Sequence, residues 1–180
     1  AQYVLALMYE DGKGVVQDYE QAAKWMRKAA EQGNMKEAQY VLALMYEDGK
    51  GVVQDYKEAG KWYLKAAEQG DGDAQYNLAL MYKNGKGVVQ DYKEAVKWYL
   101  KAAEQGDGDA HVNLGAMYAL AQGVVQDYVY AHMWFNIAAA NGEINAAEMM
   151  GAVAERMTSS QIAEAQKLAR ECVAKEYKGC

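Results

Sequence analysis

The sequence predicts an all-α protein in which antiparallel helix pairs stack into a solenoid that ends in a C-terminal capping helix. A segment beginning Ala-Gln-Tyr starts at residues 1, 38 and 74 and returns more loosely at residue 110, so the chain repeats every 36 or 37 residues. Each repeat contains two stretches whose apolar residues have the spacing of an amphipathic helix. The 180 residues include no proline that would interrupt those helices.

The repeats divide the chain into four units and a C-terminal segment. Residues 38–73 and 74–109 differ at only four of their 36 positions, which indicates recent duplication. The differing pairs are Val41 and Asn77, Glu47 and Lys83, Asp48 and Asn84, and Gly60 and Val96. We therefore predict repeat units at 1–37, 38–73, 74–109 and 110–145, followed by a degenerate helix and a capping helix at 146–180.

Each unit is predicted to contain a helix A and a helix B. The stripe of helix A in the first unit consists of Ala1, Leu5, Ala6 and Tyr9. Gly12 can adopt the left-handed conformation that ends helix A, and Gly33 is expected to end helix B. Asp18 can accept hydrogen bonds from the first turn of helix B, while Asp73 and Asp109 are expected to cap later helices A. Because neither helix of one pair can bury its whole stripe, each pair needs the next.

The last part of the chain has a different pattern. Residues 146–157 resemble a degenerate helix A, and Thr158 with Gln161 predicts a capping box that opens a long helix. The apolar stripe expected on that helix consists of Ile162, Ala165, Gln166, Ala169, Cys172 and Val173. A terminal helix with a polar outer face is typical of the end of a repeat array. At the other end Ala1 already lies inside a unit, so we expect a leader or further repeats before it.

Thirteen positions of the second unit carry a pattern that recurs in the neighbouring units. They are Ala38, Leu42, Ala43, Tyr46, Gly49, Gly51, Val52, Asp55, Ala59, Trp62, Ala66, Ala67 and Gly70. From residue 1 to about 145 the chain resembles the Sel-one-like repeat (SLR) family, whose repeat is related to the tetratricopeptide repeat. It departs from the family at Ala6, Ala43 and Ala79, which replace the usual glycine, and in the loop at 119–123, which has lost its first glycine.

The resemblance implies a right-handed superhelix with helices A on the concave side and helices B on the convex side. It also implies a scaffold that holds peptides or proteins, in bacteria often in envelope-associated or secreted roles. Some disulfide-rich bacterial relatives bind penicillin or hydrolyse β-lactams weakly. Those relatives have a cysteine pair in nearly every repeat, whereas this chain has two cysteines in total.

On the tetratricopeptide alignment, the groove positions are the third, seventh and tenth residues of each helix A. They are Tyr3, Leu7, Glu10, Tyr40, Leu44, Glu47, Tyr76, Leu80 and Lys83, with Val112, Ala116 and Ala119 in the fourth unit. Asn77 and Asn113 lie at the groove edge and could hydrogen-bond a peptide backbone. This mixture suits a peptide with apolar and basic side chains. The alternative is that the tyrosines pack on the next helix A and contact nothing external.

Composition disfavours several other classes of protein. A net charge of −6 and a pI near 5.0 argue against nucleic acid as a partner. No apolar stretch approaches the length of a membrane span. The glycine loops lack a nucleotide-binding pattern, the Asp-Gly-Asp segments lack the other ligands of a calcium loop, and His111 and His132 lack metal-ligand spacing. We therefore expect no cofactor and no metal, and we expect a monomer.

The two cysteines leave two possibilities open. In an unbroken helix the Cα atoms of Cys172 and Cys180 would lie about 12 Å apart, too far for a disulfide. Gly179 can break the helix and let the chain turn back, which makes the pair a disulfide candidate. A bridge would favour a periplasmic or secreted protein. The alternative is a buried thiol at Cys172 and a frayed, free Cys180.

Three functions from different classes follow. The leading one is a non-enzymatic scaffold that binds a peptide or protein on its concave helix-A face. A second is a weak hydrolase or binding protein for β-lactams or peptidoglycan fragments. It is disfavoured because the hydroxyl side chains other than tyrosine are confined to Thr158, Ser159 and Ser160, where the serines fit a helix start. A third is a structural spacer in an envelope-associated complex, which would assemble through the ends of the chain or through helix B.

Overall fold

The computed structural model describes residues 1–32 and 35–180, and the regular elements in those ranges are ten α-helices. Their bounds are α1 Gln2–Asp11, α2 Tyr19–Glu31, α3 Lys36–Asp48, α4 Tyr56–Glu68, α5 Gly72–Asn84, α6 Tyr92–Ala103, α7 Gly108–Leu120, α8 Tyr128–Ala140, α9 Ala146–Ala154 and α10 Ser159–Ala174. The odd-numbered helices up to α7 are the predicted helices A, and α2, α4, α6 and α8 are the helices B. The prediction that Gly33 ends α2 lies outside the described residues.

Helices A end in a left-handed residue, as the glycine pattern predicts. Gly12, Gly49 and Gly85 have φ angles of 70°, 70° and 69°. In the fourth repeat Ala121 takes the same role with a φ of 56°. The loop that lost its first glycine therefore keeps the same closing conformation, at the cost of placing a Cβ in the left-handed region.

The helix N-termini confirm one capping prediction and correct another. The side chains of Asp18 and Asp55 accept hydrogen bonds from the first turns of α2 and α4, as expected. The expectation that Asp73 caps α5 is wrong, because the Asp71 side chain accepts from the N–H of Ala74 at 2.9 Å.

The same correction applies at the next helix A. There the cap of α7 is Asp107, whose side chain accepts from the N–H of Ala110 at 2.7 Å, and not Asp109. An N-cap side chain reaches the N–H three residues ahead, so each helix begins at the glycine between the two aspartates.

The chain forms two compact units, Ala1–Gln90 (unit 1) and Asp91–Cys180 (unit 2). In unit 1, α2 packs against α1 and α3, and α4 packs against α3 and α5. The loop after each helix A also touches the helix B that precedes it. A Cβ on Gly51 would lie 1.9 Å from the backbone oxygen of Tyr19, and one on Gly87 would lie 2.2 Å from that of Tyr56. Only glycine permits this approach, so these loop positions tie neighbouring repeats together.

Unit 2 contains the helices α6 to α10. In it α7 packs against α6 and α8, and α8 also packs against α9 and α10. Ala131 and Phe135 of α8 form a buried cluster with Val153 of α9. A Cβ on Gly115 would lie 2.7 Å from the ring of Phe135, which explains why this repeat retains the glycine that the others replace with alanine.

The capping helix confirms most of its predicted stripe. Ala165, Ala169 and Cys172 of α10 are buried, whereas Gln166 and Val173 are exposed, so the expected stripe is wrong at those two positions. The helix begins with the predicted capping box between Thr158 and Gln161. Among the helices of residues 1–32 and 35–180, none has both the length and the hydropathy needed to cross a bilayer.

Candidate functional site

The predicted groove residues of the first three helices A lie at the accessible positions of unit 1. We call this set the A-helix face: Tyr3, Leu7 and Glu10 on α1, Tyr40, Leu44 and Glu47 on α3, and Tyr76, Asn77, Leu80 and Lys83 on α5. All of them are partly exposed. On the same helices Leu42 and Leu78 are 0% and 1% exposed, so each helix buries one side and leaves the other accessible. This face presents tyrosine rings and leucine side chains at successive repeats.

Tyr40 of the A-helix face is held by contacts with two other helices. Its ring centroid lies 5.9 Å from that of Tyr63 on α4, and its hydroxyl is hydrogen-bonded to the side chain of Asn77 on the next helix A. The expected alternative, packing on the next helix A, thus describes part of its environment. Because Tyr40 stays partly exposed, it can still offer a ring surface whose position is already set.

Exposed carboxylates flank two of these tyrosines. Burial raises the pKa of Tyr40, and the nearby carboxylates of Asp73 and Asp71 raise it further. Burial also raises the pKa of Tyr3, with Glu37 adding to the effect. Glu37 and Asp73 are both exposed. The groove prediction missed them, although the sequence contains a signal, since each directly precedes an Ala-Gln-Tyr segment.

The carboxylates at the opposite ends of these helices are already paired. Glu10 accepts from Lys50 at 2.7 Å, and Glu47 accepts from Lys86 at 3.1 Å, each lysine belonging to the loop of the next repeat. Glu47 also accepts from the hydroxyl of Tyr63 at 2.6 Å. A basic group on a partner would have to compete with these lysines, so these two carboxylates are weaker candidates for contacting one than the sequence suggests.

Each of these lysines also lies over a tyrosine ring. Lys50 Nζ is 4.6 Å from the ring centroid of Tyr19, and Lys86 Nζ is 4.1 Å from that of Tyr56. In the third repeat Lys83 takes the position of the glutamate, and burial lowers its pKa. The charge pattern of the A-helix face therefore changes along unit 1, from paired carboxylates to a lysine.

The predicted groove positions of the fourth repeat have apolar neighbours within the chain. Val112, Ala116 and Ala119 pack against the cluster of α8 and α9 that contains Phe135 and Val153. The degenerate helix α9 thus supplies apolar contacts where a partner was expected. Asn113 is partly exposed, and its side-chain amide donates to the backbone oxygen of Asp109 at 2.9 Å. It lies in unit 2, apart from the A-helix face as defined above.

The serine and histidine side chains considered for catalysis or metal binding lie at a helix start or in the core. Ser159 and Ser160 are exposed in the first turn of α10, beside the capping box. His111 and His132 are 0% and 3% exposed, so both imidazoles are buried in the core. Across the described ranges, no group of three or more His, Cys, Asp or Glu side chains is arranged to hold a metal ion.

The two cysteines are bonded to each other. Cys172 and Cys180 form a disulfide with their Cα atoms 5.5 Å apart. The chain after α10 turns back to make this possible, and Gly179 contributes with a φ of 67°. The disulfide candidate, rather than a frayed free cysteine, describes this end of the chain.

The model of the Sel1 repeat family matches residues 1–34, 36–71, 72–107 and 108–143. The chain belongs to the Sel1 repeat family. Sel1 repeats generally serve as scaffolds for protein interaction. The expected fold class, an α-solenoid of stacked helix pairs with a C-terminal helix, is confirmed by these matches and by the solved structures described next.

Several solved Sel1 structures are similar to this Sel1 protein. The crystal structure of c5321, a protective antigen of uropathogenic Escherichia coli with an SLR fold, is 35% identical with a TM-score of 0.82, and the match covers 99% of this chain and 42% of that one. A Sel1 repeat protein from Oxalobacter formigenes is 35% identical with a TM-score of 0.76, over 97% of this chain and 63% of that one.

A more distant structure shows the same fold over part of the chain. Cysteine-rich protein B of Helicobacter pylori is 26% identical with a TM-score of 0.57, over 74% of this chain and 95% of that one. The comparison with curated proteins found no match. This chain therefore spans less than two thirds of the c5321 and Oxalobacter proteins.

Proposed function

We propose that this Sel1 repeat protein is a non-enzymatic scaffold that binds a peptide, or an extended segment of a protein, on the A-helix face of unit 1. The observation that carries the proposal is the repeated, partly exposed tyrosine and leucine of α1, α3 and α5. Tyrosine supplies a large contact area with few rotatable bonds, so it loses little entropy on binding. A ring that is already positioned, such as Tyr40, reduces that cost further.

The partner's chemistry follows from the surroundings of those rings. Leu7, Leu44 and Leu80 favour apolar side chains in the middle of the face. Lysine or arginine side chains fit best near Glu37 and Asp73, where an exposed carboxylate lies next to a tyrosine ring. There a cation gains from both the charge and the π face.

Binding on this face requires neither catalysis nor a cofactor, and we propose that the protein acts as a monomer. The paired Cys172 and Cys180 support an oxidising compartment, such as a periplasm or the cell exterior. Ser159 and Ser160 have no part in the proposed binding, because they lie on α10 in unit 2.

The proposal is tested by selecting a random peptide library against the full chain and sequencing the bound peptides. We expect enrichment of peptides that combine aromatic or aliphatic residues with lysine or arginine. The variant Tyr40→Ala/Tyr76→Ala should lose most of this binding, because two anchors are removed. The variant Glu37→Gln/Asp73→Asn should still bind apolar peptides but lose the preference for basic residues.

A matched control lies on the helices B. Lys24 and Lys57 are exposed on α2 and α4, so Lys24→Ala/Lys57→Ala should leave the selection unchanged. The opposite result, loss of binding in this variant and not in the tyrosine variant, would overturn the proposal and favour a spacer that assembles through helix B. Selection of no sequence above background would also contradict it.

A further inference from the structure

The chain after α10 forms a short closed loop. Its backbone returns towards the helix, with the N–H of Tyr177 donating to the backbone oxygen of Cys172 at 3.0 Å. Glu176 and Tyr177 have φ angles of 53° and 65°, a left-handed conformation that is costly for residues with a Cβ. The disulfide between Cys172 and Cys180 closes this loop. We call residues 175–180 the tail loop.

The tail loop places one aromatic ring over a buried histidine. The ring centroid of Tyr177 lies 5.0 Å from that of His111, and the indole of Trp134 stacks on the same imidazole at 5.5 Å. The Tyr177 hydroxyl lies 3.4 Å from the side-chain amide of Asn141. A Cβ on Gly106 would lie 3.6 Å from the Tyr177 ring, so the ring lies beside the turn between α6 and α7. His111 has 0% of its surface exposed in this arrangement.

In the second repeat, the position equivalent to His111 is covered without the tail loop. In the second repeat the equivalent of His111 is Gln39, whose side-chain oxygen accepts from Gln69 at 2.7 Å. The fourth repeat has Asn141 where Gln69 would stand, and its shorter side chain contacts Tyr177. Tyr177 therefore covers a position that the second repeat covers with its own helix B.

Burial controls the protonation of His111. Burial lowers the pKa of His111 to about 4. A hydrogen bond with the backbone of Ala103 acts in the opposite direction but does not outweigh burial. A histidine with ordinary exposure has a pKa of about 6.5. The pKa of His111 is therefore a sensitive reporter of whether the cover is closed.

The elements around His111 carry several ionisable groups. At the turn between α6 and α7, Glu104 accepts from the N–H of Gly179 at 3.4 Å, and Asp107 caps α7. Other ionisable groups on these elements are Lys97 and Lys101 on α6, Asp109 on α7, His132 on α8, Glu143 beside Gly108, and Lys175, Glu176, Tyr177 and Lys178 in the tail loop. Glu176 and Lys178 lie 3.6 Å apart.

We propose that the tail loop is a thiol-operated cover: reduction of the disulfide between Cys172 and Cys180 releases Tyr177 and exposes His111 to solvent. The reductant is a dithiol, which transfers two electrons and two protons to the protein disulfide and leaves as its own cyclic disulfide. The sulfur–sulfur bond of the protein breaks, and two cysteine thiols form. Without that bond the left-handed residues of the tail loop are held by backbone hydrogen bonds to the end of α10 and by the contacts of Tyr177 and Gly179, with no covalent link.

The test is an NMR titration of the histidine side chains in the full-length chain, with and without dithiothreitol. In the oxidised protein we expect His111 to titrate near pH 4, and in the reduced protein its pKa should rise by about one unit or more, a tenfold gain in proton affinity. His132 on α8 is the internal reference and should not move. Diethyl pyrocarbonate labelling, located by mass spectrometry, should modify His111 several-fold faster after reduction.

Two variants separate the cover from a general effect of reduction. Cys172→Ser/Cys180→Ser should show the raised pKa of His111 without dithiol and no further response to it. Tyr177→Ala keeps both cysteines and should show the raised pKa while oxidised. The proposal is overturned if the titration of His111 is unchanged once mass spectrometry shows complete reduction. It is equally overturned if His132 shifts as well and helical circular dichroism is lost, because the disulfide would then hold the whole unit together.

Discussion

Unit 1 and unit 2 use different side chains at equivalent positions where neighbouring repeats meet. In unit 1 the side-chain amides of Gln39 and Gln75 donate to the backbone oxygens of Ala30 and Ala67, at 3.3 and 3.0 Å. In unit 2 the equivalent residue is His111, which is surrounded by aromatic rings. An amide stays uncharged at any pH, whereas a buried imidazole keeps its favourable packing only while it is neutral. The contact between repeats at His111 is therefore sensitive to acid.

The contacts of the loops that follow helices A also differ between unit 1 and unit 2. Unit 1 links its repeats with ion pairs, from Glu10 to Lys50 and from Glu47 to Lys86. In the fourth repeat the equivalent positions are Ala119 and Gln122, and Ala119 packs towards the apolar cluster of α8 and α9. The repeat nearest the cap therefore relies on apolar burial where unit 1 uses charge.

The largest expected effect tests whether the two units share one kind of core. Trp62→Ala and Trp98→Ala should each lower the free energy of unfolding by about 3–5 kcal/mol, because both indoles are buried, at 7% and 4% exposure. Trp25→Ala is the matched control. Trp25 is partly exposed, so its truncation should cost less. Urea unfolding curves measure all three, and a loss below 1 kcal/mol at Trp62 would contradict the shared core.

The next effect is the pH dependence of the free energy of unfolding that arises from His111. The pKa of His111 is about 4 in the folded protein and about 6.5 in the unfolded chain. Between pH 4 and pH 6.5 the unfolded state therefore binds a proton at His111 and the folded state does not. The contribution of His111 to the free energy of unfolding is fully present above pH 6.5. It should fall by up to about 1.4 kcal/mol for each pH unit down to pH 4. His111→Gln, which copies unit 1, should flatten this part of the curve of unfolding free energy against pH. Equal slopes in the two proteins would show that His111 contributes nothing.

A smaller effect tests the ion pairs of unit 1. Lys86→Met removes both the pair with Glu47 and the contact with the ring of Tyr56, and should cost about 1 kcal/mol. Lys13 occupies the same loop position in the first repeat, pairs with Asp11 and is 80% exposed, so Lys13→Met should cost almost nothing. Urea unfolding at low and high salt measures the difference, which should shrink as salt screens the pair. A difference independent of salt would count against the charge argument.

The smallest expected effect concerns the glycine inside α4. A Cβ on Gly60 would lie 3.4 Å from the ends of the Met81 and Val88 side chains, and the third repeat has Val96 at the equivalent buried position. Gly60→Ala should therefore raise the free energy of unfolding by about 0.5–1 kcal/mol through the lower entropy of the unfolded chain. Thermal and urea unfolding measure it. A destabilised variant would mean that the second repeat packs more tightly at this position than the near-identical third repeat.

The fold was predictable where neighbouring residues decide the structure. Repeat spacing, helix periodicity and capping chemistry are local, so the helices and most of their ends follow from the sequence. The predicted caps at Asp73 and Asp109 lie two residues after the observed ones, because either aspartate of the Asp-Gly-Asp segment could cap a helix. Gln166 and Val173 were misplaced because the width of a buried stripe depends on the neighbouring helix.

The candidate site was only partly predictable. The helix register placed Tyr40, Leu44 and Glu47 at accessible positions. The register could not show that Glu47 is already paired, nor that α9 covers the groove positions of the fourth repeat, since those partners lie in other repeats. The acidic neighbours of Tyr3 and Tyr40 were missed for the same reason.

The sequence by itself determined the repeating helix pairs, most of their ends and the family, because each rests on patterns of residues that are close in the chain. Only the tertiary structure decided which groups meet across repeats: the lysines that neutralise Glu10 and Glu47, and the tail that brings Tyr177 over His111. Those contacts join residues about 40 to 66 positions apart. Their energies depend on burial and distance, which a one-dimensional pattern does not contain.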